Sequence, residues 1–503
     1  MNHYRGDGPM AGVDKSGEVA ARSVQEYIDE TPYWADGTIA PSSPMTVMQW
    51  RIWLLASAGK FFEGMVVFMT GVALPLIVRE FNLGAMEKGM VSAATLLGIL
   101  IGATALGGLA DHYGRKKMFI VEMILFVVCL VALVFSLDFI SLIIFLLGMG
   151  LALGCDYPTA HMVISESIPS NDRGRLVLSA FAFQAIGALA GTAIGYIVLY
   201  KAADISAWRY MYAAAIIPAI LVVFGRFYIP DSCHWLASKG RIKEAEKALC
   251  SLLYREPNYP TVIKISQPVE NNSGKDGDDC NGKYLELFNR KNIRATILAS
   301  VPWFLQDIGT YGIGIFTPTI LGSVIGAKAV HARNVADLIQ NDLIAAKGAA
   351  FIDVLLLVGI IAAVLMADKV GRIKLQVAGF IGCAIGLFLA SMSMTVDPDS
   401  ATAMILLFSG FMLFSFMTNM GPNAITYLLA GEVFPTRIRG KGAGFAASFA
   451  KIGAVTTAFL FPVLFKDFGT GPILIFLVSC SLLGALITWL FRIETRGVNL
   501  ERL

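Results

Sequence analysis

Apolar runs of about 20 residues recur along this chain, and they exclude a water-soluble fold. A helix of that length crosses the ~30 Å hydrocarbon core at about 1.5 Å per residue. No water reaches the backbone there, so each run must satisfy its own N–H and C=O groups as a helix. Only 15% of the 503 residues are charged and 56% are hydrophobic, whereas a soluble chain carries roughly a quarter charged residues. The charges gather in short patches between the runs. The pattern predicts an all-α integral membrane protein with twelve spans, at 51–79, 88–110, 118–137, 139–165, 176–200, 208–229, 293–322, 346–367, 374–395, 403–430, 441–466 and 470–492.

A polar interruption at 230–291 divides the spans six and six. The expected organisation is an N-terminal tail (1–48), a six-helix bundle (49–229), a central loop (230–291), a second six-helix bundle (292–492) and a C-terminal tail (493–503). Residues 1–44 lack the basic start and short apolar core of a cleaved signal peptide. Residues 23–28 and 239–253 read as amphipathic helices, and 268–283 reads as irregular. Residues 322–345 read as an external excursion between spans seven and eight, with room for a short helix. Arg115, Lys116, Lys117, Arg173, Arg175, Lys369, Arg372, Lys374, Arg437, Arg439 and Lys441 all fall in loops on one side. The positive-inside rule places those loops, both termini and the central loop in the cytoplasm of a plasma (inner) membrane protein. The sequon at Asn271-Asn272-Ser273 is then on the wrong side for use. The seven cysteines are scattered without ligand spacing, so no metal site is expected, and no nucleic-acid-binding pattern or nucleophile motif appears. An enzyme is not expected.

One motif occurs twice. Gly107-Gly108-Leu109-Ala110-Asp111-His112-Tyr113-Gly114-Arg115 follows span two, and Ala367-Asp368-Lys369-Val370-Gly371-Arg372 follows span eight. A basic loop alone accounts for the cations but not for the repeated Asp-x-x-Gly-Arg spacing. The repeat implies two duplicated halves that rock about a midplane site.

These residues resemble the major facilitator superfamily, from about residue 45 to the end. Glu166 with Arg173-Gly174-Arg175, Pro230-Asp231-Ser232, Gly431-Glu432-Val433-Phe434-Pro435-Thr436-Arg437 and Glu494-Thr495-Arg496-Gly497 are similar to its sugar porter and phosphate:proton symporter branches. The resemblance implies the major facilitator fold, two pseudo-symmetric six-helix bundles. It also implies gating or signature roles for Gly107, Asp111, Gly114, Arg115, Glu166, Arg173, Asp368, Gly371, Arg372, Glu432 and Arg437. Span seven lacks the sugar porters' paired glutamines; its Trp303-Phe304-Leu305-Gln306-Asp307 resembles the phosphate symporters, as do Asp156-Tyr157-Pro158 and Gly421-Pro422-Asn423-Ala424. The matching positions imply substrate contact for Tyr157, Gln184, Trp303, Asp307, Tyr311 and Asn423, and proton handling for Asp156 and Asp307. Span one departs from that branch: Phe61-Phe62-Glu63-Gly64-Met65 offers Glu63 where two aspartates are usual.

Ionisable groups at membrane depth are expensive and point to function, though helix-to-helix pairing is the competing explanation. Glu63, Asp156, Asp307 and Lys451 are of this kind. Trp303, Asp307 and Tyr311 recur every four residues and share a helix face. Asp156 adjoins Pro158, where a broken helix is expected. A protonated Asp307 can donate to an anionic oxygen and an ionised one repels it, which would couple proton to anion. Lys451 would supply compensating charge to the substrate or pair with a carboxylate between cycles. The reading is a secondary transporter that symports inorganic phosphate or a similar small anion with protons by alternating access. The alternatives are a sugar, polyol or organic acid as substrate, and a nutrient sensor that has lost transport. No cofactor is expected beyond the proton gradient. The expected partners are the solute, protons and membrane lipid, and the expected state is a monomer.

Overall fold

The computed structural model describes residues 21–30, 45–106, 109–170, 172–254, 263–265, 284–325, 335–397, 400–435 and 438–495. Helices fill nearly all of them, and a lone bridge between Arg22 and Ile265 is the sole extended pairing among the described residues. Eleven helical segments are long and apolar enough to cross a membrane. Spans one to six are Val47–Phe81, Ala85–Ile101 with a π-turn at Gly102–Leu106, Arg115–Val134, Phe139–Ser167, Arg173–Phe181 continued by Phe183–Lys201, and Ala207–Ala213 continued by Ile216–Phe227. Span seven, Ile293–Ile325, is a further 33-residue helix with Gln306, Asp307, Thr310 and Tyr311 in its middle. Spans eight to twelve are Val335–Val370, Arg372–Met392, Ala401–Met420 continued by Pro422–Glu432, Arg439–Phe468 and Thr470–Leu490.

Three expectations change. The excursion at 322–345 is largely helix, because span eight already begins at Val335 and buries Asp342; residues 326–334 lie outside the described residues. Span four runs unbroken through Pro158. A proline removes one backbone bond, and packing by neighbouring helices suffices to hold the rest. The break falls instead in span ten, where Gly421 takes φ −114° and ψ −98° ahead of Pro422.

The packing repeats itself. Span one lies on span five as seven lies on eleven, and two lies on four as eight lies on ten. Between the halves, two meets eleven, five meets eight, and one meets seven. Lipid is as apolar as leucine, so such helices associate through close approach and polar contacts. Gly114 and Gly371 turn the two repeated loops with φ of 102° and 100°, which a Cβ would strain.

The face carrying the described termini and the central segment, here the terminal face, has its own layer. The short helices Val24–Asp29, Cys233–Ser238 and Ile242–Leu253 bury Tyr27, Ile28, Trp235, Leu249 and Leu252 in one apolar cluster beneath the first half. Thr46, which caps span one, donates to the Leu252 carbonyl at 2.7 Å and ties that layer to the membrane helices.

The far face is sealed between the halves. A Cβ on Gly71 would strike the Ile315 carbonyl, and one on Gly89 would strike the Phe459 carbonyl. Phe316 stacks on Phe461 at 4.6 Å beside them. Gly89→Leu is therefore expected to wedge spans two and eleven apart and favour a state open on the far face. A cysteine placed at Ile315 should then react with a membrane-impermeant thiol reagent about tenfold faster. An unchanged rate would mean that the seal does not depend on this contact.

Candidate functional site

A cavity of about 390 Å³ lies between the halves at mid-membrane. All seven residues expected to contact substrate line it: Tyr157, Gln184, Trp303, Asp307, Tyr311, Asn423 and Lys451. They come from spans four, five, seven, ten and eleven. Helical periodicity turns Trp303, Asp307 and Tyr311 inward together, while Gln306 between them donates to Thr310 at 2.7 Å. The span-ten break places Asn423 at the cavity, where its amide donates to Asn419 at 2.6 Å.

The charged centre joins the two halves. Lys451 Nζ lies 3.3 Å from Asp307 Oδ2 and 3.4 Å from Glu63 Oε1, and donates to the Tyr311 hydroxyl at 2.6 Å. That hydroxyl donates onward to Glu63 at 3.1 Å. Gln184 donates to both Glu63 and Tyr311, at 3.4 and 3.2 Å. Its own carbonyl oxygen is buried without a partner among the described residues. Asp307, Glu63 and Lys451 are 2%, 4% and 8% exposed, so each depends on the others for its counter-charge.

Lys60 completes the cluster. The sequence reading gave it no role, although a mid-span lysine was itself the signal. Its ammonium is 2.5 Å from Glu63 Oε2 and sits 3.7 Å above the Tyr157 ring, an aromatic face that attracts a cation. Lys60 lines the central cavity and an adjoining one of about 390 Å³ that reaches His161 and Tyr427. Tyr427, also passed over, closes the terminal side. It stacks on Phe181 at 4.7 Å and its hydroxyl pairs with His161 Nδ1 at 3.1 Å. The cavity is thus shut above by the glycine contacts and below by one tyrosine.

Asp156 is held elsewhere. It lines the adjoining cavity and binds Arg226 at 2.5 Å, and Arg226 also donates to the carbonyls of Phe119 and Leu55. Arg226 stood beyond the sequence reading because an arginine near a span's end looks like a loop cation. Asp353, buried in span eight with one oxygen unpartnered among the described residues, was passed over despite lying inside an apolar run.

The signature loops form two matching networks on the terminal face. In the first half Arg115 pairs with Glu166 at 3.2 Å and donates to the Ala110 carbonyl, Glu166 accepts from Ser232, and Asp231 accepts from the Lys116 N–H. In the second half Arg372 pairs with Glu432 at 3.2 Å and donates to the Ala367 carbonyl. There Glu432 accepts from Thr495, and Glu494 accepts from the Arg372 N–H. The duplication therefore extends from spacing to bonding partners. Arg173 donates to Gln25 of the N-terminal helix at 3.1 Å. Gly107 and Arg437 lie outside the described residues, as do the side chains of Asp111 and Asp368.

Comparison with known proteins gives this geometry a context. The family model described as "Sugar (and other) transporter" matches residues 52–503. The putative metabolite transport protein YaaU of Escherichia coli is 29% identical over 452 residues, covering 90% of this chain and 94% of its own. A D-xylose transporter of Levilactobacillus brevis is 29% identical over 415 residues, covering 81% and 85%. A partially occluded inward-open structure of the xylose transporter XylE from E. coli superposes with a TM-score of 0.71 at 20% identity, covering 90% of this chain and 100% of that one. The expected fold class is the fold of that structure.

Proposed function

The chain belongs to the sugar (and other) transporter family of the major facilitator superfamily, and from that premise we propose that it is a proton-coupled secondary transporter of a small hydroxylated organic solute. One observation carries this reading. Lys451 of the second half is held at once by Asp307 of its own half and Glu63 of the other, inside a closed cavity. Protonating Glu63 weakens the charge contact that draws the halves together, whereas protonating Asp307 releases Lys451 towards Glu63 and strengthens it. Proton binding and the opening of the cavity then become one equilibrium, which is what symport by alternating access requires.

Sequence motifs alone favoured inorganic phosphate. The family and the D-xylose-transporting relative favour instead the sugar, polyol or organic acid alternative. The buried Gln184 carbonyl oxygen supports it, since it wants a donor and a solute hydroxyl supplies one. Glu63 and Asp307 handle the proton, and Asp156 balances Arg226. By the positive-inside rule the terminal face is cytoplasmic in a plasma membrane, and a monomer suffices for the mechanism. Uptake of labelled D-xylose, D-glucitol, D-gluconate and phosphate into proteoliposomes tests the reading. An inward proton gradient is expected to drive accumulation of an organic solute. Accumulation of phosphate alone would return the substrate to an inorganic anion, and indifference to the gradient would remove the proton.

A further inference from the structure

We infer that Asp353 of span eight is a proton-binding site separate from the central cluster, and that the far face closes only when it holds its proton. The inference requires only that the two halves part on the far face, so it does not depend on the identity of the solute.

Asp353 is 5% exposed in span eight, which meets span five at the seam between the halves. Span five runs from the terminal face to Lys201 at the far face, and Asp353 reaches its Thr192, about two turns beyond Gln184. The Thr192 hydroxyl already donates to the Ala188 and Leu189 carbonyls, at 3.2 and 3.1 Å. A hydroxyl has a single hydrogen. Two oxygens that face each other across the seam then need a proton from Asp353. Its Oδ2 is buried without a partner among the described residues.

No cation balances an ionised Asp353 among the described residues. Span ten, which also packs on span eight, has no charged residue over Ala401–Met420. Lys347 is exposed on another side of span eight. Lys201, Arg79 and Glu80 stand at the far ends of spans five and one, and Tyr196, one turn beyond Thr192, stacks on Tyr200. Lys60, Glu63, Asp307 and Lys451 hold one another in the central cluster. Arg173, Arg175, Arg294, Arg372 and Lys374 lie at the terminal ends of their spans. Asp342 repeats the arrangement about three turns nearer the far face and on the same side of the helix, buried with its own Oδ2 unpartnered among the described residues.

An unpaired carboxylate between packed helices is strongly disfavoured, so the closed seam holds the neutral acid. When the halves part on the far face, water enters the seam. The O–H bond of the acid breaks, the proton passes to water, and the carboxylate left behind is solvated. Closing takes one proton back from the far side. Far-face pH thereby controls closure at a place the central carboxylates do not occupy.

The test measures the opening itself, with spin labels at Lys201→Cys and Gln340→Cys, on the far ends of spans five and eight, in an otherwise cysteine-free protein in lipid nanodiscs. Distances are recorded without solute or gradient, from about pH 4, where an exposed aspartate titrates, to about pH 8. Wild type and Asp353→Asn are expected to coincide at the acid end. Above it the closed-to-open ratio of the wild type should fall relative to the variant by about tenfold per pH unit, because asparagine is neutral in both states. Thr192→Val keeps the carboxyl and should keep the wild-type slope, which separates titration from packing at the seam. Parallel curves for wild type and Asp353→Asn, or a slope lost in Thr192→Val, would overturn the site. Should Asp353→Asn fail to fold, infrared absorption decides. A protonated-carboxyl band in the closed protein at the alkaline end that Thr192→Val shifts supports the site, and the absence of such a shift overturns it. A protein that passes these tests without proton-driven uptake would lose the proposed function and keep this proton.

Discussion

Asp307→Asn is expected to leave the protein folded, inserted and able to exchange solute, while accumulation under an inward proton gradient disappears. Asparagine matches aspartate in shape, and its carbonyl oxygen can still accept from Lys451. The ammonium also keeps Tyr311 at 2.6 Å and Glu63 at 3.4 Å, so Lys451 retains an anionic partner. What is lost is a proton acceptor. The variant holds permanently the charge that the wild type carries only when protonated, so loading no longer consumes a proton. Counterflow of labelled solute should persist, and gradient-driven uptake should settle at equal concentrations on both sides. A variant that accumulates solute as the wild type does would take Asp307 out of the proton route.

Arg226→Met should produce a large loss of stability. Arg226 is fully buried, with its guanidinium 3.5 Å from the Phe119 ring and bonded to Asp156 and to carbonyls of spans one and three. Truncation strands the Asp156 carboxylate among apolar helices, and breaking a buried pair in this way costs about 3–5 kcal/mol. The double variant Arg226→Met/Asp156→Asn removes both charges and should recover most of the loss. Thermal unfolding of the purified protein in detergent reads both. A single variant as stable as the wild type would show that Arg226 does not hold the first half together.

These two aspartates mark where reading the chain succeeds and where it stops. Both are isolated carboxylates in apolar runs, and both looked like proton carriers. Nothing in the linear order of residues distinguishes them, because Arg226 is 70 positions from Asp156 and Lys451 is 144 from Asp307. Glu63 posed the same difficulty. Its departure from the expected motif cast doubt on span one, yet folding brings it to both lysines. Lys60, Tyr427 and Asp353 carried a visible signal, a polar group within an apolar run, that was not followed.

The sequence by itself determined the membrane, the helices and the duplication. Lipid leaves a backbone no alternative to the helix, and a repeated Asp-x-x-Gly-Arg needs no coordinates to be seen. It also determined which residues share a helix face, since that follows from local geometry alone. Only the tertiary structure decided which charges meet. A buried charge takes its role from its counter-ion, and apart from Lys60, three residues before Glu63 on the same helix, the counter-ions here stand on other helices and, for Glu63 and Lys451, on the opposite half of the molecule.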